Sequence, residues 1–103
     1  MLIEGHYDEG FGVVRIDGKR LDPRRSQRVW NHSPDGFAWG YAGSGPAQLA
    51  LAILLAAGVP QQRAVELHQR FKREFLEGLA PDASFTLTVD IVAWTVTPDR
   101  LEV

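Results

Sequence analysis

The feature that most constrains this chain is an apolar run at its centre, from Pro46 to Ala57, in which Gln48 is the only polar side chain. A bilayer crossing takes about 20 apolar residues, so this run is too short to span a membrane and predicts a buried helix. Pro46 suits the first turn of a helix, because its missing N–H has no partner there, and Gly58 provides a left-handed end. A helix that is apolar nearly all round must be covered by a sheet and a second helix, or in part by another subunit.

The residues before this helix carry strand and turn signals. Asp17-Gly18 is the strongest hairpin signal, and Ser33-Pro34-Asp35-Gly36 is typical of a tight turn. Residues 24–28 have no apolar member and are interpreted as an exposed connection. We expect short strands at 2–7, 11–16, 19–21, 28–31 and 37–39. Residues 1–41 are therefore predicted to form an antiparallel meander.

A second helix follows the apolar run. It begins near Val59-Pro60 and is closed by Gly78 and Pro81. Its apolar stripe has helical period and consists of Ala64, Leu67, Phe71 and Phe75. In the tail, residues 84–87 are expected to form a strand. Residues 89–96 fit either a short helix capped by Thr88 or a continuation of that strand, and we favour the helix.

These patterns together predict an α+β fold. An antiparallel sheet of short N-terminal strands packs on two consecutive helices, and a C-terminal strand or short helix closes the edge. With 103 residues, 45% of them hydrophobic, the chain is expected to form one domain spanning 1–103.

Composition narrows the function classes. The absence of cysteine excludes disulfides, a thiolate nucleophile and a cysteine metal site, and we expect no cofactor. Met1-Leu2-Ile3 leads directly into Glu4, with no basic start and no long apolar stretch, so a signal peptide is not predicted here. The expected location is the cytoplasm, with no membrane contact. A net charge of −2 argues against non-specific nucleic-acid binding as the main function.

A glycine loop, Gly43-Ser44-Gly45, lies immediately before the central helix. Such a loop can hold a phosphate or carboxylate on free backbone amides, with Ser44, Gln48 and Tyr41 as side-chain donors. The spacing matches neither a P-loop nor a dinucleotide fingerprint. The favoured alternative is structural: the glycines let the chain turn into the helix and Ser44 caps it, while Pro46 removes one N–H from any anion site.

A basic segment with aromatic neighbours provides a second candidate site. Arg24, Arg25 and Arg28 precede Trp30, and the strands expected here would align the aromatic side chains of Trp30, Phe37, Trp39 and Tyr41. Arginines beside stacking aromatics are typical of single-stranded nucleic-acid binders. The favoured alternative is a solvated basic loop and an aromatic face that packs into the core.

The three histidines do not form a recognisable site. His32 and Asp35 could be an acid–base pair, but both lie in a turn expected to be hydrated, and catalysis needs shielded groups. His68 flanks the stripe of the second helix and is expected to be a hydrogen-bonded residue at the core edge. His6 has no evident partner, and no two histidines have metal-binding spacing, so neither catalytic nor metal residues are assigned.

The segment FAWGYAGSGPAQLALAILL, residues 37–55, resembles a family of small bacterial, phage and plasmid proteins known only as a domain of unknown function. The family pattern is N-S-P-x-G-F-x-W-G-Y-x-G-S-G-P-A-x-L-A-L. It corresponds here to Asn31, Ser33-Pro34, Gly36-Phe37, Trp39-Gly40-Tyr41, Gly43-Ser44-Gly45-Pro46-Ala47 and Leu49-Ala50-Leu51. Ala42 stands where the family tends to have glycine. The resemblance implies a shared fold and brings no activity with it.

From these observations the preferred function is a non-catalytic interaction or accessory protein with an unknown protein partner or a second copy of itself. One alternative is an anion- or nucleotide-binding domain that uses the Gly43–Gln48 loop. The other is a single-stranded nucleic-acid binder that uses Arg24, Arg25, Arg28 and the aromatic face.

Overall fold

Four strands and four helices make up the fold, which the computed structural model describes for residues 1–98. The strands are β1 (Leu2–Asp8), β2 (Phe11–Ile16), β3 (Lys19–Arg20) and β4 (Phe85–Thr88). The helices are α1 (Arg24–Val29), α2 (Ser44–Ala56), α3 (Gln61–Phe71), which continues into a π-helical turn at Lys72–Leu76, and α4 (Ile91–Thr95). The predicted α+β class is confirmed.

The sheet is antiparallel, with strand order β3-β2-β1-β4. Asp17 and Gly18 both have positive φ, 49° and 85°, which confirms the predicted two-residue hairpin turn. β4 pairs with β1 although it comes from the far end of the chain, and Gly5 opposes Phe85 across this pair. Gly5 is required because a Cβ at this position would overlap the Phe85 ring.

Helix α2 is the centre of the core. Every residue from Gly45 to Leu55 is buried, which covers the expected apolar run except for its last two residues, Ala56 and Ala57. The same cluster of buried side chains contains Ile3 and Val14 from the sheet and Leu67 and Phe71 from α3. The central helix is therefore covered from both sides, as its composition requires, and it begins at Ser44, two residues before Pro46.

The structure corrects three parts of the predicted meander. Residues 24–28 are not a connection but form α1, and residues 28–31 are not a strand. Residues 37–39 make only an isolated bridge, from Phe37 to Gly12, in place of a strand. Local hydrogen bonds stabilise the first turn of this helix, because the Asp22 carboxylate accepts from the Arg24 N–H at 2.9 Å and the Ser26 hydroxyl donates to the Pro23 carbonyl at 2.8 Å. The buried Ser26 also accepts from the Gln48 amide, a contact with α2 that the local sequence does not reveal.

The tail follows the favoured alternative, a strand and then a short helix. The helix cap is Asp90 in place of the predicted Thr88, since the Asp90 carboxylate accepts from the Ala93 N–H at 3.1 Å. Among residues 1–98, none of the helices has the length and apolar character needed to cross a bilayer.

Candidate functional site

A cleft of about 380 Å³ lies between the tip of the β1–β2 hairpin and the segment that leads into α2. We call it the aromatic cleft, because Phe11 and Tyr41 line it and keep 63% and 49% of their surface exposed. Ser33 and Asp35 line the same cleft, together with the start of α2 at Ser44 and Gly45. This volume is within the range of small-ligand and side-chain pockets.

Close backbone approach holds the two walls together. Gly12, next to Phe11, bridges to Phe37, and a Cβ on Gly12 would overlap the Phe37 carbonyl oxygen. Behind this bridge, Trp39 is fully buried and its ring stacks on Tyr7, with ring centroids 4.3 Å apart. The backbone N–H of Trp39 also donates to the Tyr7 hydroxyl at 3.4 Å. The hairpin and the loop, which form the two walls of the cleft, are therefore fixed to each other.

The glycine loop supports Tyr41. A Cβ on Gly43 would overlap the Tyr41 ring, and a Cβ on Gly45 would lie 3.0 Å from the Tyr41 hydroxyl and 2.6 Å from the Ala38 Cβ. Among the candidate ligand residues, the structure thus brings Tyr41, Ser44 and Gly45 to the cleft, with Gly43 as packing support.

Gln48 does not join the cleft, because its amide is used inside the protein. The amide oxygen accepts from the N–H groups of His32 at 2.7 Å and Ser33 at 3.0 Å. The amide nitrogen donates to the Ser26 hydroxyl at 2.9 Å and to the Trp30 carbonyl at 3.2 Å. This buried side chain therefore ties α1 and the following loop to the central helix.

Beside Gln48, two histidines form a pair that the sequence did not suggest. The Nε2 atoms of His32 and His68 are 2.9 Å apart. His68 Nδ1 lies 2.6 Å from the Val65 carbonyl oxygen, which can only accept, so His68 carries its proton on Nδ1. Its bare Nε2 then accepts from the Nε2–H of His32. Trp30 stacks on the His32 ring with centroids 4.5 Å apart.

Burial lowers the pKa of His32, and the neighbouring His68 and Lys72 lower it further. Burial also lowers the pKa of His68, outweighing the hydrogen bond to Val65, which acts in the opposite direction. Both imidazoles are therefore neutral near pH 7, consistent with the one-proton hydrogen bond between them. The sequence prediction that His68 is a hydrogen-bonded residue at the core edge agrees with this position, whereas His32 contacts His68 and does not line the cleft with Asp35.

The candidate nucleic-acid residues lie on and after α1. Arg24 forms a bidentate ion pair with Asp22, which lowers the pKa of Asp22 to about 2. Arg25 reaches the Leu55 carbonyl at the end of α2, with 3.4 Å between Nη1 and the oxygen. Arg28 is exposed, and Trp30 is half exposed but has one ring face against His32. The aromatic side chains do not form one exposed face, because Phe37 and Trp39 are buried, which agrees with the favoured alternative of core packing.

No group of three or more histidine, aspartate or glutamate side chains within residues 1–98 is arranged to bind a metal ion.

The fold and the cleft define a small α+β protein with an open, aromatic-lined surface cleft. The chain belongs to DUF6166, a family of unknown function whose model matches residues 3–97. Neither a curated protein nor a solved structure shows significant similarity to the chain.

Proposed function

We propose that this protein is a non-catalytic interaction protein and that the aromatic cleft is its contact surface for a partner protein. The observation that carries the proposal is the exposure of Phe11 and Tyr41, two large aromatic side chains that line one cleft of a well-packed domain. Aromatic residues in pockets supply much of the binding energy at protein interfaces. A cytoplasmic location, expected from the sequence, is part of the same proposal.

The titratable groups favour binding over catalysis. Acid–base catalysis needs a group with a tuned pKa beside the reacting atoms. The histidines with shifted pKa values face each other outside the cleft, and Asp35, which lines it, is exposed. Tyr7 also lines the cleft, but its hydroxyl accepts a hydrogen bond from the Trp39 backbone N–H and so has a structural role.

The anion-binding alternative has weaker support. The amides at the start of α2 attract negative charge, but the Asp35 carboxylate in the same cleft repels it. The nucleic-acid alternative has no comparable observation in its favour, because Arg24 and Arg25 already have partners within the protein.

Selection of random dodecapeptides displayed on phage against the immobilised protein tests the proposal. We expect enriched peptides that bind in solution and lose affinity to the double variant Phe11→Ala/Tyr41→Ala by about ten-fold or more, as expected for interface anchors. The matched control is Val92→Ala, which also removes exposed apolar surface but on α4, away from the cleft residues.

Two results would contradict the proposal: no enriched peptide, or peptides that bind the double variant as well as the wild type. A second copy of the chain is the competing occupant. If the sedimentation coefficient of the wild-type protein rises with protein concentration and that of the double variant does not, the protein associates with itself through the same surface.

A further inference from the structure

The lining of the aromatic cleft has a charge of one sign. Asp35 lines it, and no lysine or arginine does so among residues 1–98. The β1–β2 hairpin at its edge carries two more exposed carboxylates, Asp8 at the end of β1 and Glu9 in the turn, immediately before the lining residue Gly10. Burial raises the pKa of Tyr7, outweighing the hydrogen bond from the Trp39 backbone, and the charge of Asp82 adds to the rise.

The start of α2 acts against this negative charge, but it is the smaller contribution. A helix N-terminus is equivalent to about half a positive charge, and its effect fades within the first turn. Each carboxylate carries a full negative charge, and one of them, Asp35, lines the cleft itself. The cleft therefore favours a cationic group over an anionic one.

Aromatic walls beside a carboxylate are a specific arrangement for recognising a cation. The faces of Phe and Tyr rings attract a cation through the negative charge density of their π systems. A guanidinium group is planar and weakly hydrated, so it stacks on an aromatic ring while its N–H groups reach a carboxylate. An ammonium group gains the charge interaction but not the stacking, so arginine suits this cleft better than lysine.

We propose that the aromatic cleft takes an arginine side chain of a partner protein, with the guanidinium stacked between Phe11 and Tyr41 and donating to the Asp35 carboxylate. This inference rests on the proposed function, because it names the chemistry of the partner at the same surface. Ser33 and Ser44 also line the cleft, and in this arrangement their hydroxyls would hydrogen-bond to the partner's backbone.

The test uses the dodecapeptides selected against the protein. We expect arginine to be enriched among those that bind at the cleft. Replacing that arginine with citrulline, which keeps the shape but removes the charge, weakens binding to the wild-type protein about ten-fold or more. Binding of the arginine peptide also weakens as salt is raised, because exposed charges are screened.

The protein-side variant is Asp35→Asn, an exposed position where the substitution keeps the side-chain shape. It should weaken binding of the arginine peptide about ten-fold and leave binding of the citrulline peptide unchanged. Glu4→Gln is the matched control, because it removes one exposed carboxylate that does not line the cleft. Glu4→Gln should bind both peptides as the wild type does.

The outcomes separate this inference from the proposed function. Peptides that need Phe11 and Tyr41 but bind equally well with arginine or citrulline would overturn the arginine assignment and leave the interaction function standing. Equal binding to the wild type and to Asp35→Asn would also overturn it. Selection of no cleft-dependent peptide would instead remove the proposed function itself.

Discussion

Gln48 shows how one polar side chain can be accommodated in the most apolar helix of a protein. Leaving a buried donor or acceptor without a partner costs about 1–3 kcal/mol per group. The two ends of the Gln48 amide together satisfy four such groups, and two of these are backbone N–H groups at His32 and Ser33. The sequence marked Gln48 as unusual, but whether it faces a ligand or the protein depends on α1, which the sequence did not predict.

The paired histidines make stability depend on pH. The folded-state pKa values of His32 and His68 lie below the ordinary value of about 6.5, so the unfolded chain takes up protons first as the pH falls. The free energy of unfolding should therefore decrease from about pH 7.5 to about pH 5.5, measured by urea denaturation at both pH values. His68→Gln removes one of the two groups and should reduce that decrease.

His6→Gln is the control for this prediction, because His6 is exposed on β1 and lies outside the pair. It should leave the pH dependence as in the wild type. If His68→Gln loses as much stability on acidification as the wild type does, the pair is not the origin of the effect.

At the scale of helices and strands, the sequence predicted an element correctly wherever that element's own residues carry its hydrophobic pattern or turn signal. The Asp17-Gly18 hairpin, the apolar α2 and the amphipathic α3 each followed from their own residues. The helix α1 did not, because its one fully buried residue, Ser26, packs on Gln48 from another helix. The π-helical turn after α3 was likewise not predicted from its own residues.

The start of α2 packs closely against the loop before it, so we expect a side chain added at Gly45 to destabilise the protein. Gly45→Ala would place a Cβ 2.6 Å from the Ala38 Cβ, so the helix start or Tyr41 must move. We expect a loss of about 1–3 kcal/mol in the free energy of unfolding, the usual effect of overpacking. Urea denaturation measures it. Gly78→Ala is the control, because its Cβ meets nothing within 4 Å, and a similar loss there would refute this explanation.

At the scale of the whole molecule, the parts of the structure that the sequence did not predict depend on long-range contacts. The sheet is completed by β4, which pairs with β1 from the opposite end of the chain, and the predicted strand at residues 37–39 is replaced by a single bridge. The candidate site shows the same limit. Tyr41, Ser44 and Gly45 were predicted from one local motif, whereas Phe11 belongs to a hairpin that tertiary folding brings to them. Periodicity and turn signals do not encode such approaches.

Trp39 links these distant parts, and its replacement tests the assembly as a whole. Its ring stacks on Tyr7 of β1 and meets Phe85 of β4 edge-on at 4.7 Å, and its indole N–H donates to the Ala83 carbonyl at 2.7 Å. Trp39→Leu should lower the free energy of unfolding by about 3 kcal/mol, because it leaves a cavity and an unpaired carbonyl. Hydrogen exchange should accelerate in β1 and β4 together, since both strands lose the same packing partner.

Trp30→Leu is the control, because it replaces a half-exposed tryptophan and should lower the free energy of unfolding much less. Faster exchange confined to the loop around residue 39 would show that the two strands hold together without it.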